Sequence, residues 1–364
     1  MAKMKAIGRK NLKKLRDFME SNRIDLVIFK SPDVNVRYFS NFVGSCLLAI
    51  TKNERILFTH PLELERAREQ ADVEEIINIK DFDWSYGKAI KERVECKKVG
   101  IIKSAISLKL FEDLKKIRAR FVDVENFIAK LRAIKFREEI KLLKKSASIA
   151  SSGIKIVEEV LSGACKGKIK EKELAEILGD YLREKAEGLA FEILVASGKR
   201  SSFPHPFPYA SSSFIKKGLG YVDFGVVYKG YCSDITVPFV VGRISEREKQ
   251  MVKTLEKAYE LATSSIEIGT KTWKLYEKVE EFLKSKGFEL KHGLGHGLGL
   301  TVHDYPSISP KPRIKDFEME FKPGMVFTLE PGIYTKRGGL RLENDFLLTK
   351  KGLKKLTFSR VIEV

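Results

Sequence analysis

Residues 219–241 read LGYVDFGVVYKGYCSDITVPFVV. An apolar, strand-type run is interrupted once, at Lys229-Gly230, where a two-residue hairpin turn fits. With that turn, Tyr228 faces Tyr231, Asp223 faces Thr236, and Gly225 faces Asp234. Opposed residues of a strand pair share a face, and so do residues two apart. Asp223 and Asp234 are therefore diagonal neighbours on one side of a sheet, with Gly225 leaving space in front of Asp234. Two carboxylates set among apolar residues repel each other, so the pair calls for a cation or a shared proton.

A second run of the same kind follows at 326–348, VFTLEPGIYTKRGGLRLENDFLL. A loop over 336–339 makes Thr335 face Leu340, Glu330 face Asp345 and Gly332 face Glu343. Glu330 and Glu343 are then diagonal neighbours, again with a glycine in front of one of them. Pro331 has no N–H for a ladder, so a bulge or an edge position is expected there. Two such pairs and an imidazole would supply oxygen and nitrogen ligands for two divalent ions. Such ions sit about 3.5–4 Å apart in two-metal hydrolases, a span that bridging carboxylates cover. Ligation by O and N without cysteine suits Mn, Co, Fe or Zn better than Ca.

The imidazoles come from between the hairpins. Residues 291–305, KHGLGHGLGLTVHDY, hold His292, His296 and His303, three of the five histidines, with glycine at 293, 295, 297 and 299. Each glycine costs a helix roughly 1 kcal/mol relative to alanine. A zinc-protease H-E-x-x-H helix is thereby excluded, and no Glu follows His292. The stretch is expected to be extended, with its backbone open to close approach by a strand or ligand.

The remainder sets bounds. At 364 residues the chain is long enough for two domains, and its hydrophobic content of 43% is that of a globular protein. Net charge is +19 with 32% charged residues. The lysines are scattered and often stand beside glutamates, so a solvated surface is favoured over a nucleic-acid stripe. Cys46, Cys96, Cys165 and Cys232 lie far apart, as expected of small packing residues in a reducing cytoplasm. No apolar run approaches 18 residues, and MAKMKAIGRK lacks the apolar region of a secretory signal.

Taken in order, residues 8–22 read as an amphipathic helix and DLVIF (25–29) as a strand, closed by a turn at Ser31-Pro32-Asp33. CLLAI and RILFT form a hairpin around Lys52-Asn53. Helices near 61–71, 83–95 and 106–119 alternate with strands EEIINI, KKVGII and ARFVDV. This is an α/β domain over 1–125. Its single histidine, His60, sits before Pro61 and is read as structural. From 126 to 364 the order is two helices (137–161, 171–187), strands, two helices (246–264, 272–286), then strands, an α+β pattern with a hint of duplication.

These motifs resemble the pita-bread metallopeptidases: prolidase, aminopeptidase P, methionine aminopeptidase and creatinase. The resemblance rests on VDFG with CSDIT eleven residues on, HGLGHGLGL with VHD, FTLEPGIY and LRLE. In the first half, DLVIF, SPDVNVRYFSNF and LRAIKFREEI resemble the creatinase/prolidase N-terminal domain, which methionine aminopeptidase lacks. The resemblance implies an α+β fold with a pita-bread catalytic domain behind a smaller α/β N-terminal domain. It implies two divalent ions, Mn or Co first and Zn or Fe next. Their ligands would be Asp223, Asp234, His296, Glu330 and Glu343, with Asp234 and Glu343 between the ions. His303 would contact the scissile amide, Glu330 would orient or deprotonate the attacking water, and His205, His292 and Arg341 would lie on the substrate side. The implied reaction is cleavage before proline in Xaa-Pro dipeptides or short peptides, by a cytoplasmic homodimer without membrane or nucleic-acid partners.

There are departures. Val237-Pro238 replaces the Arg-Thr common after CSDIT, and Asn344 replaces the Asp common after LRLE. Ser307 stands where archaeal-type prolidases carry an arginine for the dipeptide's terminal carboxylate. Arg313 and Arg337 are the nearby substitutes for that bidentate contact. A Xaa-Pro dipeptidase is favoured, with an aminopeptidase acting on longer peptides as the alternative. Creatinase-like hydrolysis, which needs no metal, and a non-enzymatic binding module on the same fold rank below both.

Overall fold

The computed structural model describes residues 5–164 and 169–364. Residues 1–4 and Cys165 lie outside them. The chain divides into two compact units, Met1–Leu131 and Arg132–Val364.

In the first unit the apolar runs become six strands: β1 (Leu26–Lys30), β2 (Cys46–Thr51), β3 (Arg55–Thr59), β4 (Glu75–Asn78), β5 (Lys98–Ile101) and β6 (Arg120–Asp123). They form one sheet in the order β4-β3-β2-β1-β5-β6. The hairpin β2–β3 is antiparallel with Ile50 opposite Arg55, while β1, β5 and β6 run parallel. The helices are α1 (Leu12–Ser21), α2 (Val34–Ser40), α3 (Leu64–Gln70), α4 (Tyr86–Arg93), α5 (Leu108–Leu114) and α6 (Glu125–Ala133). Helix α2 escaped the sequence reading, which stopped at the Ser31-Pro32-Asp33 turn. Asp33 is in fact its N-cap, accepting from the Asn35 N–H at 2.8 Å. Cys46 is buried, Cys96 half-buried, and His60 packs its ring against Trp84 with centroids 5.1 Å apart.

The second unit repeats one plan twice. Helices α7 (Arg137–Ala164) and α8 (Glu171–Arg183) precede β7 (Gly188–Leu189), β8 (Leu194–Ser197), β9 (Gly218–Phe224), β10 (Val226–Tyr228), β11 (Tyr231–Cys232) and β12 (Ile235–Val241). Helices α9 (Glu246–Ser264) and α10 (Thr272–Ser285) precede β13 (Gly295–Gly297), β14 (Asp304–Ile308), β15 (Val326–Leu329), β16 (Gly332–Thr335), β17 (Gly338–Arg341), β18 (Asn344–Thr349), β19 (Gly352–Lys355) and β20 (Ile362–Glu363). Each helix pair covers one sheet. Leu174, Leu178 and Leu182 of α8 share a core with Val222, Phe224, Ile235 and Val237. Leu275, Val279 and Leu283 of α10 share another with Phe327, Leu329, Phe346 and Leu348.

The strand period then dictates the rest. Val222 and Phe224 face the helices, so Tyr221 and Asp223 face the opposite way. By the same count Asp234, Thr236, Thr328, Glu330, Glu343 and Asp345 share the helix-free faces. Those faces are joined by a hydrogen bond from the Glu343 N–H to the Thr236 carbonyl, 3.1 Å.

The first hairpin has the expected register: Tyr228 opposes Tyr231 and Asp223 opposes Thr236. The second does not. Its turn is the two residues Lys336 and Arg337, with Thr335 opposite Gly338, and the pairing is shifted by two from the four-residue loop expected. Leu329 opposes Asn344, so the next pair outward is Glu330 with Glu343, directly opposed rather than diagonal. Strand pairing lapses at 330–331 and 342–343, where Pro331 supplies no donor. Gly225 serves a different purpose from the one expected, whereas Gly295 serves the close strand approach expected of its stretch. A Cβ on Gly225 would lie 2.0 Å from the Ser233 carbonyl oxygen, and one on Gly295 would lie 2.1 Å from that of Thr328. Both let backbones approach closely, and Gly225 leaves no open space in front of Asp234. Gly295→Ala is expected to force β13 from β15 and destabilise the protein by about 1–3 kcal/mol. An unchanged melting temperature by calorimetry would show that the strands part freely.

Candidate metal centre

The helix-free faces enclose a cavity of about 620 Å³. All nine expected site residues line it: His205, Asp223, Asp234, His292, His296, His303, Glu330, Arg341 and Glu343. Asp223 comes from β9 and Asp234 from the residue before β12. Glu330 follows β15, Glu343 precedes β18, and His296 is the middle residue of β13. Asp234, His296 and Glu343 each offer a ligand atom within 4.8 Å of the others.

The electrostatics of this group are unusual. Asp223, Asp234, Glu343 and Asp345 are buried, and Glu330 is nearly so. Among the described residues lining the cavity, Arg341 is the one arginine or lysine. Burial, then the neighbouring charges of Glu343 and Asp223, push the Asp234 carboxyl well above its ordinary range. Burial, with Glu330 next, does the same for Glu343. Glu330 is pushed up to about 8, chiefly by burial. A buried cluster of this kind is held either by protons or by cations.

Hydrogen bonds favour cations. Asp223 Oδ1 and Asp234 Oδ1 are buried without a partner. His296 Nδ1 lies 3.1 Å from the Gly297 carbonyl oxygen, which assigns the proton to Nδ1. The Nε2 lone pair then points at Asp234 Oδ2 and Glu330 Oε1, both at 3.6 Å, too far for hydrogen bonds. Burial drives the His296 pKa down to about 4, so its ring is neutral at neutral pH. A neutral imidazole fixed by a carbonyl and facing Asp234 and Glu330, in a cluster with orphaned carboxylate oxygens, has the donor set and second contact of a divalent-metal ligand.

Arg341, expected on the substrate side, is almost wholly engaged by the protein. Its guanidinium pairs with Asp223 and donates to Thr236 Oγ1 at 3.0 Å, Tyr334 Oη at 2.9 Å and the Pro204 carbonyl at 3.2 Å. What it orients directly is a cluster acid. His292 likewise has both nitrogens occupied. Nδ1 faces the Gly293 carbonyl at 2.8 Å, so Nε2 accepts from Tyr334 Oη at 2.9 Å. Burial lowers the His292 pKa to about 3, leaving the ring neutral. His303 stacks at a tilt against His296, with centroids 4.3 Å apart. Burial, then Arg341, lowers the pKa of His205 across the cavity.

Three supporting residues were missed in the sequence. Tyr334 links Arg341 to His292. Thr236 accepts from Arg341 and donates to Glu343 Oε2 at 2.6 Å. Asp345 accepts from the Asp234 N–H at 3.3 Å. The signal for Thr236 and Asp345 was their even spacing from Asp234 and Glu343. Tyr334 lies in FTLEPGIY, four residues from Glu330, but nothing local ties it to an arginine. The Ser307 and Ser309 hydroxyls, 2.7 Å apart, also line the cavity.

Residues 141–350 match the model of metallopeptidase family M24, and residues 11–134 match the creatinase/prolidase N-terminal domain. A Xaa-Pro dipeptidase of Pyrococcus furiosus is 34% identical over 360 residues, covering 96% of this chain and 98% of that protein. The prolidase crystal structure from Pyrococcus horikoshii superposes with a TM-score of 0.86 at 32% identity, covering 97% and 99% of the two chains. The X-Pro aminopeptidase structure from Thermotoga maritima gives 0.83 at 29% identity, covering 97% and 99%. The chain therefore belongs to metallopeptidase family M24, in its prolidase and aminopeptidase P branch, as an enzyme with a candidate divalent-metal site.

Proposed function

We propose that this metallopeptidase hydrolyses the peptide bond before proline, with Xaa-Pro dipeptides as the favoured substrates. The observation that carries the reading is the convergence of Asp223, Asp234, His296, Glu330 and Glu343 in one cavity, which holds both orphaned carboxylate oxygens and a neutral imidazole. These five residues would hold two ions, Mn or Co before Zn or Fe, with Asp234, His296 and Glu343 offering ligand atoms nearest one another. Two bound ions supply Lewis acidity and a nucleophilic water at neutral pH. The protein's own groups do the rest. Glu330 orients that water and takes its proton, His303 donates toward the developing oxyanion, and His205 and His292 shape the side where proline sits.

Aminopeptidase action on longer peptides is the second reading. Ser307 favours it: among the described cavity residues, no arginine or lysine other than the engaged Arg341 is available to a dipeptide's terminal carboxylate. Comparing Leu-Pro with Leu-Pro-Gly, after chelation and Mn or Co resupply, separates the two. Faster hydrolysis of the dipeptide is expected. Preference for the tripeptide moves the assignment to aminopeptidase, and cleavage of neither sinks both. Asp234→Asn is expected to lose bound metal and activity together. Full activity in that variant would refute the ligand assignment.

A cytoplasmic location belongs to this proposal, resting on cysteine usage. Among the described residues, no helix is long and apolar enough to cross a membrane. A homodimer belongs to it as well. Exposed Val43, Leu62, Trp84 and Leu108 all flank one end of the N-terminal sheet, where β3, β4 and β5 finish and β2 starts. Light scattering should give twice the chain mass; a monomer at micromolar concentration would overturn it.

A further inference from the structure

The loop that carries His205 cannot hold itself in place. Residues 203–208 read FPHPFP, so Pro204, Pro206 and Pro208 alternate with other residues and remove every second backbone donor. Phe203 and Phe207 are 59% and 89% exposed and add little burial. The loop must be fixed from outside, through its carbonyls and its two feet. Tyr221 Oη donates to the Phe203 carbonyl at 2.5 Å and lies 3.1 Å from that of Pro204. Arg200 Nη2 donates to the Pro208 carbonyl.

Both feet converge on one carboxylate. Glu171, at the start of α8, is fully buried. Its Oε1 accepts from the Ser197 N–H at 2.9 Å and Oγ at 3.0 Å, at the entry to the loop. Its Oε2 accepts from the Ser211 Oγ at 2.6 Å and N–H at 3.2 Å, at the exit. The same oxygen accepts from Arg200 Nε at 2.8 Å, fixing the guanidinium that holds Pro208. A buried carboxylate with five donors is a strong, directional anchor.

We propose that Glu171 is a positioning residue for substrate binding: it latches the loop between Ser197 and Ser211, with Arg200 as its outer arm, so that His205 is held against the cavity. The inference rests on the reading that His205 contacts substrate. Glu171 touches neither substrate nor the acid cluster, so its loss should move binding rather than chemistry.

In the full-length, metal-loaded protein, Glu171→Gln is expected to raise KM for a Xaa-Pro substrate about tenfold, the scale of one charge-assisted hydrogen bond. Expected alongside are a kcat within about threefold of wild type and unchanged metal stoichiometry. Chymotrypsin should nick the chain faster after Tyr209, since Pro204 and Pro208 protect the bonds after Phe203 and Phe207. In a His205→Ala background, Glu171→Gln should add almost nothing to KM, because the latch acts through His205. If Glu171→Gln does not fold, Ser211→Ala removes one of the five bonds and should shift KM and nicking the same way, less far. Unchanged KM and nicking in a folded variant would overturn the proposal, as would an equal KM effect with and without His205. If His205→Ala alone leaves KM unchanged, the reading of His205 fails, while nicking still reports the latch.

Discussion

Five carboxylates held away from bulk water, with one guanidinium among them, set the terms for this protein. Neither half of the catalytic unit could tolerate its own pair alone, since like charges in a low-dielectric site raise each other's pKa and oppose folding. The pairs are brought together because each lies on the face of a sheet that its helix pair leaves uncovered. Facing inward, they become a concentrated source of negative charge, for which a divalent cation is the natural complement.

Arg341 is the pivot of that arrangement. It neutralises Asp223 by direct contact and fixes Thr236 and Tyr334. Through Thr236 it reaches Glu343, and through Tyr334 it reaches His292. One fully desolvated side chain thus connects three strands and the glycine-rich segment. A guanidinium is suited to this because its five donors lie in a rigid plane and it stays charged under any burial. The hydrogen bonds of His292 and His296 to the carbonyls of their own neighbours complete the design, since each leaves Nε2 as an acceptor, that of His292 for Tyr334 and that of His296 facing the acids.

The loop bearing His205 illustrates a different constraint. Alternating prolines make a stiff but unladdered backbone, and its geometry is imposed by side chains outside it. Tyr221 and Arg341 hold the limb nearest the acid cluster, while Glu171 and Arg200 hold the feet and the outer limb. The same guanidinium that orients Asp223 thereby also fixes Pro204, next to His205.

The residues of the cavity were legible in the chain because they depend on local rules. Strand period two places Asp223 with Thr236, and Glu330 with Glu343, on a common face for any pairing that differs by an even number of residues. Alternate glycines mark a backbone that must pass close to its neighbours. What the local pattern could not decide was the pairing of the second hairpin. A slip of two residues returns every side chain to the same face, so hydrophobic alternation is blind to it, and only closure at Lys336-Arg337 selects the register. Nor could it assign partners across the two sheets. The contacts of Arg341 with Asp223 and of Glu171 with both ends of the His205 loop join residues 118 and up to 40 positions apart. Such pairs are chosen by how the layers pack around buried charge, which is a property of the folded chain alone.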